Sequence, residues 1–537
     1  MTLSILRRCG AVLAIAVAAM LPAQVLAQQT ITLLHVNDTH SHLDGWGPKD
    51  ASLNGTLGGL PKVATIVKSE RAADPQALFV HAGDFMDGDL FFNQYHGVPE
   101  LVLLKGLGLD AITLGNHEWM YGPSFLVNVL NTAWPAGASD VPVLETNVTS
   151  CDQLAPWNPG TVIKTVHGVK VGLFGLTPPG LPMARPTPCV LGDINTSAQA
   201  AVNVLKAGGA ELIIALSHAG MDRARLLAAS VPSIDVIVNG HDNAMLEQPE
   251  VVDRFGGGVT RIVSTGGRYG WVGRLRLAYA GGAVTFVDYL LKPIDAQVTP
   301  DPLVQAAIDA LKPAIVAAYG DVFHDPLAWA EDPIEAVWDP RHAKRDTPLG
   351  NLFADAYRAW TGTDIAIEAM GYLDDPLPPG WIVGADVFRS MYLGPVKVGA
   401  NYVPQPWRLV TFSAKGSALM GVLEATIRTG SNSFPQVSGI RLDYDPRLLP
   451  PDTWILLDRV HVGGRKLVLD KLYSVTVTEG VWNVLSRMPI MQGVIGTPLE
   501  VTAFDAARAL VEFRGELGAA ASNRIRDVSA IGNDNAD

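Results

Sequence analysis

The chain has 537 residues, more than one ordinary domain holds, so we expect two domains joined by a connector. Hydrophobic residues make up 48% and charged residues 17%, a balance that excludes a disordered or fibrous protein. The formal net charge of −13 argues against nucleic-acid polymers as partners, and an anionic substrate would need local cations such as metal ions.

The first 27 residues have the pattern of a secretory signal peptide. Arg7 and Arg8 precede an apolar run over residues 11–21, and small side chains follow up to Ala27. A membrane anchor is the alternative, but the run is short for a bilayer span, and no later run reaches about 20 apolar residues. We therefore expect a periplasmic or secreted protein that has no membrane contact after signal cleavage.

Export would leave Cys151 and Cys189 in an oxidising compartment. One disulfide between them is the natural pairing. Two unpaired buried thiols are the alternative, because separation in sequence does not determine the distance between Cα atoms.

The first half of the chain, residues 28–295, alternates short β-rich runs with helical stretches, which is typical of an α/β layered domain. Residues Leu60 to Arg71 have the apolar spacing of a helix. The predicted strands are Ile31 to Val36, Leu78 to His81, Ala111 to Leu114, Val169 to Leu176, Leu212 to Leu216, Ile234 to Val238 and Arg261 to Ser264.

A proline-containing connector near residues 292–302 marks the domain boundary, and a predicted helix from Leu303 to Ala318 makes residues 296–322 a helical linker. A second α/β domain is expected over residues 323–515. Its predicted elements are a helix from Pro348 to Trp360 and strands from Asp364 to Glu368, Trp407 to Phe412 and Leu472 to Thr478. Small and polar residues indicate a flexible tail over residues 516–537.

Polar residues that can bind metal ions follow five predicted strands, where open α/β sheets place their ligand sites. These segments are Asn37-Asp38-Thr39-His40, His81-Ala82-Gly83-Asp84, Gly115-Asn116-His117-Glu118, Ser217-His218-Ala219-Gly220 and Asn239-Gly240-His241-Asp242-Asn243. Each alone could be a turn or a core histidine, but five in order indicate one shared site. Carboxylates and imidazoles suit Mn, Fe, Zn or Co, and a carboxylate can bridge two such ions.

This ordered series resembles the calcineurin-like metallophosphoesterase signature, as found in bacterial periplasmic 5′-nucleotidases and UDP-sugar hydrolases. The resemblance implies a two-sheet α/β sandwich that binds two divalent metal ions. It implies that Asp84 bridges the two ions. The other implied ligands are Asp38, His40 and Asn243 for one ion, and Asn116, His218 and His241 for the other.

The same resemblance gives His117 a catalytic role opposite the scissile phosphate. In the family an aspartate three residues later is its usual partner, but this chain has Met120 there. We therefore expect Glu118 or a backbone carbonyl to orient the ring. His35 and His81 are expected to be packed core residues.

Two segments after the linker, residues 347–356 and 433–439, resemble the 5′-nucleotidase C-terminal domain, which implies a substrate-binding domain. Phe434 and Trp482 are candidates for stacking on a base, and Arg441 for contacting an anion. The chain departs from the family where a turn usually carries an arginine, because Asp374-Asp375 stands there.

The resemblance therefore predicts a monomeric, metal-dependent hydrolase of phosphate esters of nucleotides or related small metabolites. Two alternatives use the same scaffold. One is a thiosulfohydrolase-like enzyme of sulfur oxidation, which the missing arginine and aspartate keep open. The other is an exported binding protein whose catalytic site has decayed, for which Met120 is the best argument.

Overall fold

The computed structural model describes residues 28–135, 141–180, 189–336, 345–391, 394–398, 401–449, 451, 453–519 and 523–529. The predicted signal peptide, residues 1–27, lies outside these ranges. Among the residues within them, no helix is both long enough and apolar enough to cross a bilayer.

The N-terminal domain contains two large β-sheets with helices on their outer faces and two small sheets of two strands each. Its strands are β1 (Gln29–Val36), β2 (Trp46–Lys49), β3 (Gly55–Leu57), β4 (Leu78–His81), β5 (Ala111–Ile112), β6 (Val148–Ser150), β7 (Thr161–Val166), β8 (Val169–Leu176), β9 (Val190–Leu191), β10 (Leu212–Ser217), β11 (Val236–Asn239), β12 (Glu250–Asp253), β13 (Val259–Val263), β14 (Trp271–Ala280) and β15 (Ala283–Pro293). Its helices are α1 (Leu60–Ala73), α2 (Leu90–Tyr95), α3 (Val98–Gly106), α4 (Asn116–Met120), α5 (Pro123–Ala133), α6 (Ile194–Ala207) and α7 (Met221–Ser230). The small sheets are β2-β3 and β6-β9.

The two main sheets pack face to face around a shared core. One has the strand order β15-β14-β1-β4-β5 and the other β12-β13-β11-β10-β8-β7. Leu33 and Val80 of the first sheet belong to the same buried cluster as Leu173, Ile214 and Val238 of the second. Helices α6 and α7 cover the outer face of the second sheet, so its central strands are buried on both faces and are almost entirely apolar. The predicted two-sheet α/β sandwich is confirmed.

The predicted strands of this domain are all present, with ends that differ by a few residues. β5 is two residues shorter than predicted, because Thr113 and Leu114 turn toward the buried carboxylate of Glu145. The Thr113 hydroxyl and the Leu114 backbone N–H donate to Glu145 Oε1 at 2.8 and 2.6 Å.

The central strands run parallel, so their carboxyl ends meet along one edge of the sandwich. β1 pairs in parallel with β4, and β4 with β5. In the second sheet β8, β10, β11 and β13 are parallel neighbours. The segments that follow β1, β4, β5, β10 and β11 therefore come together at this edge.

The linker helix predicted from Leu303 to Ala318 is two helices, α8 (Pro302–Asp309) and α9 (Lys312–Tyr319). The carboxylate of Asp301 caps α8 by accepting the backbone N–H of Val304 at 3.1 Å. α9 has Pro313 in its first turn. Proline cannot donate a hydrogen bond to the preceding turn, so the chain begins a new helix here instead of extending α8.

The C-terminal domain is a second α/β unit around a five-stranded sheet of order β22-β17-β26-β21-β27. Its strands are β16 (Pro326–Ala330), β17 (Ile365–Ala369), β18 (Gly380–Val383), β19 (Pro395–Val398), β20 (Asn401–Pro404), β21 (Arg408–Lys415), β22 (Pro435–Ser438), β23 (Ile440–Tyr444), β24 (His461–Val462), β25 (Arg465–Lys466), β26 (Leu472–Thr478), β27 (Thr497–Thr502), β28 (Glu516–Leu517) and β29 (Ile525–Asp527). Its helices are α10 (Pro348–Thr361), α11 (Gly384–Arg389), α12 (Gly416–Thr429), α13 (Glu479–Leu485) and α14 (Ala503–Arg514). The four elements predicted here correspond to α10, β17, β21 and β26.

Part of the predicted flexible tail belongs to the fold. β28 pairs in parallel with β16, and β29 pairs in parallel with β23. Ile525 is fully buried, and the guanidinium of Arg524 donates to both oxygens of Asp355, at 2.7 and 2.9 Å. The prediction is therefore wrong for residues 516–519 and 523–529, which apolar burial and an ion pair hold in place. Residues 530–537 lie outside the described ranges.

A disulfide joins Cys151 and Cys189. These residues adjoin β6 and β9, which pair with each other. The expected disulfide is confirmed, and two unpaired thiols are excluded.

The two domains share one apolar core and several buried ion pairs. The largest cluster of buried apolar side chains runs from α1 and α5 through α8 and α9 to α10 and α14. Across the same interface, Lys49 Nζ lies 2.6 Å from Asp386 Oδ1, and Arg389 pairs with Asp89. None of these four side chains is more than 4% exposed, so each charge depends on its partner for compensation.

Glu368 on β17 is a buried acid with a strongly raised pKa. Burial raises the pKa of Glu368 to about 8, although hydrogen bonds from the Ala369 N–H and from the hydroxyls of Tyr357 and Thr478 oppose the rise. The ordinary pKa of 4.5 applies in the unfolded chain. Between these two values the folded state keeps a proton that the unfolded state has lost, so stability falls as pH rises.

We predict that Glu368→Gln removes this pH dependence of the free energy of unfolding, which is about 1.4 kcal/mol per pH unit between the two pKa values. Relative to the wild type, the variant should become more stable as pH rises from about 5 to about 8. Urea denaturation at both pH values measures the difference, and the exposed Glu331→Gln serves as the matched control. An equal pH response in both variants would contradict the assignment.

Candidate active site

The loops at the shared sheet edge bring the predicted ligand residues together. In strand order they are Asp38 and His40 after β1, Asp84 after β4, Asn116 after β5, His218 after β10, and His241 and Asn243 after β11. Five of them have a positive φ, between 48° and 93°; these are Asp38, His40, Asp84, His241 and Asn243. Such conformations cost of order 1–3 kcal/mol for a residue with a side chain and are concentrated at functional sites. The loops are therefore shaped for their side chains to converge.

Asp84 lies at the centre of the site. Its Oδ2 is 2.8 Å from His218 Nε2 and 3.9 Å from His117 Nε2. His218 Nε2 is also 3.7 Å from Asp38 Oδ1. Asp38, Asp84 and His218 are at most 1% exposed, so these charges face one another away from water.

Two groups of potential metal ligands share Asp84, and within each group the ligand atoms lie within 4.8 Å of one another. The groups are His40, Asp84 and His117, and Asp84, His218 and His241. Asn116 adjoins the second group, with its Oδ1 2.8 Å from His241 Nδ1. Asn243 lies beside Asp38, since a Cβ atom on Gly267 would be 2.6 Å from Asn243 Oδ1 and 3.1 Å from Asp38 Cβ.

Glu118 holds two of the loops together. Its carboxylate accepts the backbone N–H groups of Asp84, Met86 and Gly115 at 3.0, 2.9 and 2.5 Å. Glu118 was one of the groups expected to orient His117, but these hydrogen bonds direct its carboxylate to the backbone of the two loops, and another carboxylate contacts the His117 ring.

Glycines leave the space into which the ligands fit. A Cβ atom on Gly115 would lie 2.1 Å from Asp84 Oδ1 and 2.5 Å from His218 Nε2. Cβ atoms on Gly83 and Gly240 would each lie 2.7 Å from His218 Nδ1. The same His218 Nδ1 is 2.7 Å from the carbonyl oxygen of Ala82, which directs Nε2 toward the carboxylates.

The buried carboxylates of Asp38 and Asp84 need nearby positive charge to remain ionised. Burial raises the pKa of Asp38, and Asp84 adds to the rise, whereas His218 opposes it. Burial also opposes ionisation of Asp84, but His218 and His117 outweigh it and hold the pKa of Asp84 below its usual range. Burial lowers the pKa of His218, but Asp84 and Asp38 outweigh it and raise the value to about 10. Divalent cations would supply the same compensation in place of protons.

The donor set fits divalent transition-metal ions. It combines a shared carboxylate with imidazole nitrogens and amide oxygens, which suit Mn, Fe, Co or Zn. His218 Nε2 is buried and makes no hydrogen bond of acceptable geometry, although it faces Asp84 and Asp38. An imidazole nitrogen left in this position is available as a metal ligand in its neutral form.

Asp87 orients His117. Its Oδ2 lies 3.0 Å from His117 Nδ1, so the carboxylate replaces the partner that Met120 cannot provide. Although burial lowers the pKa of His117, Asp84 and the hydrogen bond with Asp87 raise it to about 9. The sequence interpretation missed Asp87 because it looked for the partner of His117 close to His117 in sequence. The Asp87-Gly88 pair, three residues after the predicted ligand Asp84, was the available signal.

Comparison with known proteins assigns both domains. Residues 31–245 match the family described as calcineurin-like phosphoesterase, and residues 332–488 match the 5′-nucleotidase C-terminal domain. The N-terminal domain therefore belongs to the calcineurin-like phosphoesterases, and the C-terminal domain is a 5′-nucleotidase C-terminal domain. The prediction of a hydrolase that acts as a phosphoesterase is thereby confirmed.

Individual members of the family match most of the chain. The chain is 26% identical over 457 residues to the trifunctional nucleotide phosphoesterase protein YfkN of Bacillus subtilis. The alignment covers 77% of this chain but only 29% of that relative. The structure of a 5′-nucleotidase precursor from Thermus thermophilus has a TM-score of 0.76 and 25% identity, covering 93% of this chain and 100% of that one. The structure of a sulfate thiohydrolase, SoxB of Thermus thermophilus, has a TM-score of 0.70 and 17% identity, and the match covers 93% of this chain and 97% of that one. A match at this level of identity shows a common fold alone.

The two carboxylates of Asp374 and Asp375 reach the N-terminal domain. Arg268 pairs with both, and its Nη2 lies 2.9 Å from Asp374 Oδ1. The other carboxylate, Asp375, has its Oδ2 2.9 Å from His42 Nε2. The Arg268 backbone N–H donates to the carbonyl oxygen of Asp38 at 2.7 Å. This cluster connects the C-terminal domain to the loop that carries Asp38.

The predicted substrate-binding residues are not brought together. Phe434 has no exposed surface and packs near Tyr444 in the domain core, with ring centroids 6.2 Å apart, so it offers no face for stacking. Trp482 is half-buried on α13, 5.0 Å from the ring of Phe412. Arg441 is exposed on β23.

Strand direction separates Trp482 from Arg441. β17 and β26 are parallel, and their carboxyl ends lead to Asp374 and Trp482, on the side that faces the N-terminal domain. β22 is antiparallel to β17, so the chain leaves β22 at the opposite end of the sheet, where Arg441 follows. The structure therefore leaves Trp482 as a candidate for contacting substrate and places Arg441 away from the site.

We predict that Gly115→Ala prevents metal binding although every ligand residue is retained in the sequence. The backbone of Gly115 has a φ of −102°, which alanine also adopts, so the effect comes from the new methyl group against Asp84 and His218. Metal content by mass spectrometry should fall well below that of the wild type. Gly106→Ala is the control, since a Cβ there meets nothing within 4 Å, and full metal content in Gly115→Ala would refute the prediction.

We also predict that Asp87→Asn lowers kcat by about 10- to 100-fold, because the amide orients His117 less well and no longer favours its protonated form. KM and metal content should change little, since neither Asp87 nor its partner His117 is among the seven predicted metal ligands. Steady-state kinetics measure the effect. The control is Asp110→Asn, which makes the same change at a partly buried ion pair elsewhere in the domain. An unchanged kcat would show that Asp87 does not support catalysis.

Proposed function

We propose that the protein hydrolyses phosphate esters of nucleotides or closely related metabolites, using two divalent metal ions at the described site. The observation that carries the proposal is the pair of ligand groups that share the buried Asp84. Named relatives that act on nucleotides support the substrate class.

The site residues would hold the ions in two sets, with Asp84 common to both. Asp38, His40 and Asn243 would complete one set, and Asn116, His218 and His241 the other. Bound there, divalent ions supply Lewis acidity toward a phosphate oxygen and lower the pKa of water toward neutrality.

His117 would act on the phosphate that is cleaved. Its Nδ1 faces Asp87, so Nε2, which lies 3.9 Å from Asp84 Oδ2, is the atom that would donate a proton or a hydrogen bond to the phosphate. Donation from a protonated ring stabilises negative charge on phosphate oxygens or protonates the departing alkoxide. Trp482, at the end of the sheet that faces the metal-binding domain, is the proposed surface for the base.

We further propose that the protein is exported to the periplasm or secreted, and acts as a monomer on small phosphate esters rather than nucleic-acid polymers. The disulfide between Cys151 and Cys189 supports an oxidising compartment. The negative charge of the chain supports the exclusion of polymers.

Phosphate release from nucleoside 5′-monophosphates, in the presence of Mn or Co, tests the proposal. Release should stop after exhaustive chelation and return when metal is restored. Asp84→Asn should lower kcat at least about a hundredfold, because the loss of metal-derived stabilisation is worth several kcal/mol. The exposed helix cap variant Asp193→Asn is the control.

The two alternatives predict different outcomes in the same experiment. Turnover of a sulfane sulfur conjugate without phosphate release would favour the thiosulfohydrolase-like enzyme. Bound metal without turnover of any ester would favour a decayed site. Full phosphate release by chelated protein would remove the metal-dependent proposal altogether.

A further inference from the structure

The C-terminal domain contains a second cleft whose walls are mainly cationic. The cleft has a volume of about 630 Å³ and lies between β23, β24, β25 and the segment that includes β29. Its cationic lining residues are Arg441, Arg459, Lys466, Arg524 and Arg526. This concentration of positive charge contrasts with the net charge of −13 of the whole chain.

Nearby acids neutralise part of this charge, because Arg524 pairs with Asp355 at 2.7 and 2.9 Å and Asp458 also lines the cleft. Asp443 Oδ2 is shared by Arg459, at 3.3 Å, and Arg526, at 2.6 Å. Arg441 and Lys466 are exposed and make no ion pair among the described residues. The cleft therefore keeps an excess of positive charge that faces solvent.

The cleft is remote from the metal ligands. A Cβ atom on Gly439 would touch the carbonyl oxygen of Asp364, which precedes β17, so β23 begins near the amino end of that strand. The five residues of β17 span about 13 Å and lead to Asp374, which contacts the metal-binding domain at the other end. A small ligand in the cleft would not reach the metal site.

We propose that this cleft binds a small soluble anion that carries several phosphate groups. Arginine guanidinium groups bind phosphate oxygens in bidentate fashion, and several separated cations require a ligand with several anionic groups. The volume lies within the range of small-molecule sites, and the acidity of the chain as a whole disfavours a nucleic-acid polymer. This binding site is additional to the proposed hydrolytic centre.

Fluorescence anisotropy of pyrene tetrasulfonate tests the site on the metal-loaded full chain. This small fluorescent polyanion shares the charge of an oligophosphate but contains no phosphate ester for the enzyme to cleave. We expect saturable binding with one probe per chain. The double variant Arg441→Glu/Lys466→Glu should weaken it at least about tenfold, because two charge-assisted contacts become repulsive.

A matched double variant, Lys206→Glu/Arg223→Glu, changes the net charge equally on exposed positions of α6 and α7. It should bind the probe as the wild type does. If both double variants weakened probe binding equally, the overall charge of the chain would explain the effect, and the proposal would be overturned. Probe binding that disappears in Asp84→Asn would place the probe at the metal centre and also overturn it.

Two further measurements separate this proposal from the hydrolytic one. Arg441→Glu/Lys466→Glu should release phosphate from nucleotides at the wild-type rate, whereas Asp84→Asn should retain probe binding. Binding of long heparin chains without binding of the small probe would identify a polymer surface instead and contradict the proposal. Thermal melting of each variant verifies that the fold is kept.

Discussion

Mutual repulsion between buried carboxylates is the constraint on which this structure depends. Asp38 and Asp84 come from neighbouring strands and approach the same nitrogen of His218, at 3.7 and 2.8 Å, where almost no water reaches them. Two negative charges in such a place are tolerated only if positive charge is present between or beside them. The left-handed backbone conformations, the crowded glycines and the bonds to Glu118 all serve to keep the carboxylates there.

Much of this site could be predicted from the sequence, for a topological reason. Parallel strands bring their carboxyl ends to one edge, so polar segments after successive apolar strands must meet, whatever the details of each loop. The order of the five segments therefore indicated one shared site without any knowledge of distances, and the resemblance to metallophosphoesterases named the candidate ligands from Asp38 to Asn243 within it. The apolar runs likewise predicted β1, β4, β8 and β26 to within a few residues.

Features that depend on contacts between distant parts of the chain could not be predicted in this way. Asp87 reaches His117 from another loop, and Asp375 reaches His42 across the domain interface. Phe434 matched a family motif, but complete burial decides its role, and burial depends on the packing of the whole domain. The composition of the chain from residue 516 onward predicted no structure. Two short strands there nevertheless pair with strands that lie far earlier in the sequence.

The apolar core continues from α1 through the linker helices to α14, so the two domains cannot be separated without exposing it. Cutting the chain at the linker would expose a large hydrophobic surface on each half, so neither half is expected to survive alone as a compact unit. Opening by a wide swing of one half against the other would incur the same cost. Replacement of one half by that of a relative would therefore require the buried apolar contacts between the halves to be redesigned with it.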